Sequence, residues 1–210
     1  MSSVDGPDRV GWFGKIPALG DFVGRGLPVS LVRVWDAWLS AELTEARALL
    51  ADGWAAAYRQ APTLCFLLGA DLLDEHSWRG ILLPSLDRVG REYPLMIAQC
   101  GRPDPTNDSA RDWWTSLVPV GTRIRDSARS ADAVDEALAL FVRESVAERP
   151  AADVHGRDAS RPIAVEPGKS AWWRTVGGEL ASELPADYDG LPRGAALRGL
   201  FGLVCTPAER

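Results

Sequence analysis

The chain has 210 residues, a formal net charge of −6 and a pI near 5.0. This length suits one large domain, or one domain with an appended lobe, and 46% hydrophobic residues are enough for a sizeable core. Phosphate contacts require a basic face, and this acidic chain has no block of lysine and arginine. We therefore expect no nucleic acid partner.

The amino terminus and the cysteines indicate the compartment. Residues 1–9 are polar and no apolar segment with a cleavage site follows, so we expect no signal peptide. No window approaches the roughly 18 apolar residues of a membrane helix, so we expect no membrane insertion. Cys65, Cys100 and Cys205 are odd in number and lack C-x-x-C spacing, which predicts buried free thiols in a reducing compartment. These features favour the cytoplasm.

Strands and helices are intermixed from the start of the chain. A strand is predicted over residues 10–16, and glycines and prolines predict an irregular loop over 15–28. A helix then begins near Pro28, which suits the first turn, with Ser30 as its cap. Its apolar residues recur at helical spacing. They are Leu31, Val34, Trp35, Trp38, Leu39, Leu43, Ala46, Leu49 and Leu50.

Short apolar segments follow this helix. Asp52-Gly53 ends it, and a second short helix is predicted over 54–60. Strands are predicted over 63–68, 79–83 and 93–99. The charged turn at 84–92 is too short for a crossover helix, so the last two strands should be antiparallel neighbours.

Helices dominate again after the loop predicted at 101–109. We expect a helix from 110 that is interrupted at Pro119, a helix over 131–148, a flexible connection over 149–167, a strand over 170–176, a loop over 177–194 and a closing helix over 195–204. This order favours an α/β fold with a mixed, largely antiparallel sheet flanked by helices. We predict an α/β core over residues 1–150. The C-terminal strand and helix in 151–210 either pack on that domain or form a small second lobe.

Recognisable catalytic patterns are missing from the sequence. The two histidines, His76 and His155, stand apart from any metal-ligand spacing, and neither a phosphate-binding glycine loop nor a G-x-S-x-G turn is present. We expect no cofactor and no metal. Most of the nine tryptophans should fill the core, although Trp12 or Trp78 would be an interface anchor if exposed.

Two polar loops interrupt the apolar strands, one at residues 14–22 and one at 84–91. Their candidate protein-binding residues are Lys15, Asp21, Phe22, Ser85, Asp87, Arg88 and Arg91. One interpretation is a joint surface that binds a partner or a small anion. The other is structural: Asp21 and Asp87 cap turns and pair with the arginines, which would hold the loops together and contribute little net stability.

Several short motifs follow one another along the chain. They are G-W-F-G-K-I-P at 11–17, G-D-F-V at 20–23, W-D-x-W-L at 35–39, W-R-G at 78–80, P-S-x-D-R-V-G-R at 84–91, Y-P-L at 93–95, S-A-W-W at 170–173 and G-L-P at 190–192. In this order they resemble the TagF/ImpM family of proteins associated with type VI secretion. The resemblance spans nearly the whole chain and is strongest over residues 10–100.

The resemblance implies a fold and a role. The fold would have longin/SNARE-like α/β layers. The role would be that of a non-enzymatic accessory protein, a negative regulator of type VI secretion that acts after translation. It would act by binding a forkhead-associated scaffold protein of the apparatus. The alternative is a hydrolase or small-anion-binding protein that uses the loops of Asp21, Asp87 and Arg88, with His76 as a further catalytic group.

Overall fold

A central antiparallel sheet organises the computed structural model, which describes residues 10–101, 109–147, 165–181 and 185–203. The strands are β1 (Val10–Gly14), β2 (Val23–Arg25), β3 (Leu64–Leu68), β4 (Trp78–Leu83), β5 (Leu95–Cys100), β6 (Lys169–Val176), β7 (Glu179–Leu180) and β8 (Ala186–Asp189). Their spatial order is β2-β1-β5-β4-β3-β6-β7, and β8 lies beside the first half of β6. The predicted mixed α/β fold with a largely antiparallel sheet is confirmed.

Helices cover both faces of this sheet. On one face lie α1 (Val29–Leu50), α2 (Trp54–Gln60) and α5 (Ala195–Leu200), and on the other lie α3 (Ser109–Ser127) and α4 (Ala131–Ala147). Side chains of β3 alternate between the two cores, since Phe66 packs on the α1 side and Cys65 on the α3 side. Because β3 is buried on both faces, it reads as a continuous apolar run.

The tryptophans build both cores. All nine are buried: Trp12, Trp35, Trp38, Trp54, Trp78, Trp113, Trp114, Trp172 and Trp173. Trp12 and Trp78 are only 1% and 4% exposed, so neither is a surface anchor. Their indole nitrogens donate to Asp135 and Asp74, both at 2.9 Å, which satisfies the polar edge of each ring.

Three short strands lie in segments that were predicted to be loops. β2 falls within 15–28, and β7 and β8 fall within 177–194. β2 exists because Gly24 allows its backbone to approach β1, where a Cβ would lie 2.9 Å from the Trp12 carbonyl oxygen. Such edge strands depend on their partners more than on their own sequence.

The predicted interruption at Pro119 was wrong, because α3 continues through it. Proline removes one helical hydrogen bond, to the carbonyl of Thr115. Pro119 and Thr115 are both exposed, so this position lies on the solvent side of the helix. Trp114 before the proline and Ile124 after it are both buried against the sheet. Packing therefore holds the two halves in one helix.

Helix α1 departs from its predicted pattern at several positions. Its cap is Pro28, without a side-chain hydrogen bond, so Ser30 does not cap it. Val34 and Leu49 are 37% and 53% exposed rather than buried. Glu42 is buried instead, and its carboxylate accepts the Gly194 amide at 2.6 Å. This bond ties α1 to the segment that leads into α5.

The C-terminal part of the chain contributes to the same sheet. β6 pairs with β3 along five positions, from Leu64↔Arg174 to Leu68↔Ser170, and α5 packs into the α1-side core through Leu197. The domain boundary near residue 150 stays a prediction. Most of the connection expected over 149–167 lies outside the described residues, as does Cys205. Among the described helices, none has the length and apolar character to cross a membrane.

Gly80 in β4 tests how tightly the sheet is packed. A Cβ there would meet the Ile97 carbonyl oxygen and the Phe66 ring. We expect Gly80→Ala to lower the free energy of unfolding by about 1–3 kcal/mol, because the core is overpacked. Gly199→Ala is the control, since its Cβ would enter open space on α5 and should preserve or raise stability. Urea denaturation of both variants measures the difference, and equal destabilisation would contradict this account.

Candidate functional site

A tight turn at residues 87–90 lies in the segment between β4 and β5. The Gly90 amide donates to the Asp87 carbonyl oxygen at 3.0 Å, and the Asp87 amide donates to the Arg91 carbonyl oxygen at 3.1 Å. Gly90 has a φ of +85°, a backbone conformation that favours glycine. Aspartate at the first position of a turn and glycine at the fourth are the residues such turns prefer. Arg88 and Val89 therefore form the tip.

The side chain of Asp87 points inward and organises this turn. Only 1% exposed, it accepts the amides of Val89 at 3.0 Å and Arg91 at 2.9 Å through one oxygen. Its other oxygen accepts the Lys15 ammonium at 3.0 Å and the Arg91 guanidinium at 2.6 Å. Four donors thus surround one buried carboxylate.

Lys15 brings the first loop to the same place. Its ammonium is also buried, and it reaches the Arg91 carbonyl oxygen at 3.4 Å. The Lys15 carbonyl oxygen accepts the Ser85 hydroxyl at 2.7 Å. Gly14 lets the chain enter this loop, because its φ is +140° and a Cβ would collide with the Pro94 carbonyl. The two loops are therefore locked together.

Arg91 extends the cluster to the surface. Its guanidinium pairs with buried Asp87 and also with exposed Asp21 at 3.2 Å. Asp21 caps its own loop by accepting the Phe22 amide at 2.9 Å. Of the two arginines in the structural interpretation, Arg91 pairs with both aspartates, and no pairing of Arg88 is found among the described residues.

The electrostatics of Asp87 follow from these donors. Burial alone would raise the pKa of this carboxyl. The Arg91 amide, the Lys15 ammonium, the Arg91 guanidinium and the Val89 amide together outweigh burial and hold the pKa well below its usual range. The carboxylate consequently stays charged throughout the physiological pH range.

An aromatic cluster lies beside the charges. The Phe22 ring stacks on Phe13 at 5.8 Å between centroids and meets the edge of Tyr93 at 4.6 Å. The Lys15 ammonium lies 5.0 Å from the Phe22 centroid. Phe22 nevertheless stays 46% exposed, so a fixed apolar ring is presented to solvent.

Side chains of helices α1 and α2 form hydrogen bonds with the segment that contains the turn. The Tyr93 hydroxyl donates to Asp36 at 2.9 Å, and the Arg47 guanidinium donates to Glu92 at 3.1 Å. Burial, then the Asp36 carboxylate, raises the pKa of Tyr93. From α2, the Tyr58 hydroxyl donates to the Ser85 carbonyl oxygen at 3.0 Å.

The candidate residues fall into two groups. Lys15, Ser85 and Asp87 are buried, whereas Asp21, Phe22, Arg88 and Arg91 are exposed. Arg88 has no polar side-chain partner within the part of the chain that the structure describes. Sequence reasoning missed Val89, which is 73% exposed. The Asp-x-x-Gly turn signature could have placed it at the tip.

The histidine of the hydrolase alternative lies away from the two aspartates, which both pair with Arg91. His76 precedes β4 and Asp87 follows it, and six residues of extended strand span about 20 Å. His76 is exposed and lies 3.6 Å from Asp74 instead. Across the described ranges, no group of three or more His, Cys, Asp or Glu side chains could hold a metal ion.

Comparison with known proteins places this α/β sandwich in a family. Its fold is similar to the crystal structure of PA0076 from Pseudomonas aeruginosa PAO1, with a TM-score of 0.67 and 28% sequence identity over 92% of this chain and 94% of that chain. A model of the TagF N-terminal domain, described as type VI secretion system-associated, matches residues 11–141, more than half of the chain. No curated protein matches the sequence.

The chain belongs to the TagF family and is thus a type VI secretion system-associated protein. The matched range contains both polar loops together with α1 and the strands that carry the loops. The elements β6, β7, β8 and α5 lie beyond it.

Asp87→Asn tests the role of the buried carboxylate. The change leaves the Lys15 ammonium buried without a counter-charge, so we expect Tm to fall by about 10 °C. Asp21→Asn is the control, since its side chain is 61% exposed and surface pairs contribute little. Calorimetry of the three proteins measures the effect. Similar Tm values for Asp87→Asn and the wild type would refute the account.

The depressed pKa of Asp87 also predicts a pH dependence. Because the folded pKa lies below the unfolded value of about 3.9, the stabilisation is complete above that value and is lost as the pH falls toward the folded pKa. The gap in Tm between the wild type and Asp87→Asn should stay constant from pH 8 to 5 and narrow below about pH 4. A gap that closes already at pH 6 would contradict this assignment.

Proposed function

We propose that this protein is a non-enzymatic accessory protein that restrains type VI secretion after translation by binding a component of the apparatus. The observation that carries the proposal is the pair of loops, which buried charges hold rigid while Phe22, Arg88 and Val89 face solvent. Surface loops on a rigid frame are where proteins place binding residues.

The energetics of the cluster support binding. A buried ion pair contributes little net stability, because desolvation of the charges offsets their attraction. It does fix the position of each group. A surface ordered before binding loses less conformational entropy when the complex forms. The buried residues Lys15, Ser85 and Asp87 would then act as a scaffold for the exposed ones.

The charge arrangement favours a protein partner over a small anion. Lys15 and Arg91 already pair with Asp87, and Arg91 pairs with Asp21 as well. Among the described residues of the two loops, an anion would therefore find a single cation without a polar partner, Arg88. Exposed aromatic and arginine side chains are typical anchors of protein interfaces.

For the partner we propose a forkhead-associated scaffold protein of the secretion apparatus, as the family resemblance implies. The test mixes the purified chain with the cognate scaffold and measures binding by isothermal titration calorimetry. We expect a complex, lower secretion when the chain is overproduced and higher secretion in a deletion strain. The absence of a complex together with unchanged secretion in both strains would sink the proposal.

Phe22→Ala tests the aromatic part of the surface. We expect affinity for the scaffold to fall about tenfold or more, because a preordered ring leaves the interface. Leu140→Ala is the matched control, since Leu140 is 44% exposed on α4 and Phe22 is 46% exposed. Circular dichroism checks that both variants fold. Equal affinities for the two folded variants would remove Phe22 from the interface.

A further inference from the structure

In the turn at residues 87–90, the side chains of Arg88 and Val89 take no part in the hydrogen bonds that form the turn. The hydrogen bonds that define the turn involve its backbone and the inward-facing Asp87 carboxylate. Val89 is 73% exposed, and Arg88 is exposed without a polar partner among the residues described. We call Arg88 and Val89 the tip.

Local structure does not explain a valine at the tip. Turns favour Gly, Pro, Asn, Asp and Ser, each of which helps the backbone to reverse. Valine has a stiff, branched side chain that suits strands and gives a turn no such help. Val89 also buries little of its surface, so it contributes little to the core. Single exposed apolar side chains are common on protein surfaces. Here the side chain stands on an ordered turn beside an arginine that is unpaired within the described ranges, so both are available to contact another molecule.

The charges beside the tip indicate the chemistry of that molecule. Asp87 and Asp21 compensate Lys15 and Arg91, whereas nothing described compensates Arg88. The tip is therefore positive on a chain whose net charge is −6. A complementary surface would carry a carboxylate opposite Arg88 and an apolar depression for Val89.

We propose that Val89 inserts into a shallow apolar pocket of the partner protein while Arg88 pairs with a carboxylate on the rim of that pocket. Buried Asp87, Lys15 and the Arg91 guanidinium hold the turn in the conformation that docks. This inference rests on the proposed binding function and adds the contact residues and the chemistry of the site that receives them.

The valine is tested with Val89→Asp against Val176→Asp. The two valines are 73% and 70% exposed, so both changes add one charge to the surface at little cost in folding. Binding is measured by calorimetry with the cognate scaffold, and repression is measured as secretion from cells that overproduce each variant. Val89→Asp should weaken binding at least about tenfold and abolish repression. Val176→Asp should match the wild type.

The arginine is tested with Arg88→Glu and Arg88→Lys. A partner carboxylate predicts that the reversed charge loses binding and repression while lysine retains most of both. Arg33→Glu on α1 is the control, since Arg33 is also exposed and without a polar partner in the described chain. If Arg88→Glu and Arg33→Glu weaken binding equally, the effect comes from the change in net charge, and the proposed pairing of Arg88 with a carboxylate is overturned.

The outcomes separate the two proposals. If the wild type binds and represses but the tip variants do so equally well, the tip is wrong and the binding function stands. If the wild type represses secretion without binding the scaffold, the proposed partner is wrong. The loss or retention of repression in the tip variants then shows whether Arg88 and Val89 are contact residues. If the wild type neither binds nor represses, the proposed function fails and the tip fails with it.

Discussion

The buried carboxylate of Asp87 is the interaction on which the candidate surface depends. It accepts hydrogen bonds from Lys15 of the first loop, from the Arg91 side chain that follows its own turn and from two backbone amides. Such a cluster is expensive to desolvate, so its net contribution to stability is small compared with that of an apolar core of similar size. Each donor nevertheless has a defined direction, and the loops cannot slide past one another without leaving a charge buried and unpaired. The charges thus specify geometry.

The sheet and α1 provide the frame behind this carboxylate. β1 and β5 are paired neighbours, with Phe13 opposite Met96, so the loop that leaves β1 and the turn that enters β5 lie side by side. On the other side, Asp36 of α1 accepts hydrogen bonds from both Tyr93 and Ser40. The turn is therefore held by a strand pair and a helix, elements whose own positions are set by two large apolar cores.

Pattern strength explains which elements the sequence could predict. The predicted bounds of α2 agree with the structure, and the strands near 64–68, 78–83 and 95–100 were found because each is short, mostly apolar and bounded by turn or charged residues. β2 and β8 were not predicted, because β2 contains glycine and β8 alternates with polar residues. Pairing with the neighbouring strands makes these segments extended.

The candidate site was predictable in part, since pairing of the aspartates with Arg91 was one of the two alternatives. That alternative described a buried Asp–Arg pair, but it did not include Lys15, which lies 72 positions away in sequence and also donates to Asp87.

The structural interpretation of the polar loops applies to their buried residues, and the proposed binding surface consists of their exposed ones. The motifs at 11–17 and 84–91, which look separate in sequence, each supply part of a single charge cluster: Lys15 comes from the first and Asp87 with Arg91 from the second. A cluster needed only for stability could end in any polar turn. This one ends in Arg88, which pairs with no polar side chain in the described ranges, and in Val89, an exposed branched side chain. Under the proposed function, the buried charges would fix these two exposed side chains before a partner binds, which lowers the entropy lost when the complex forms.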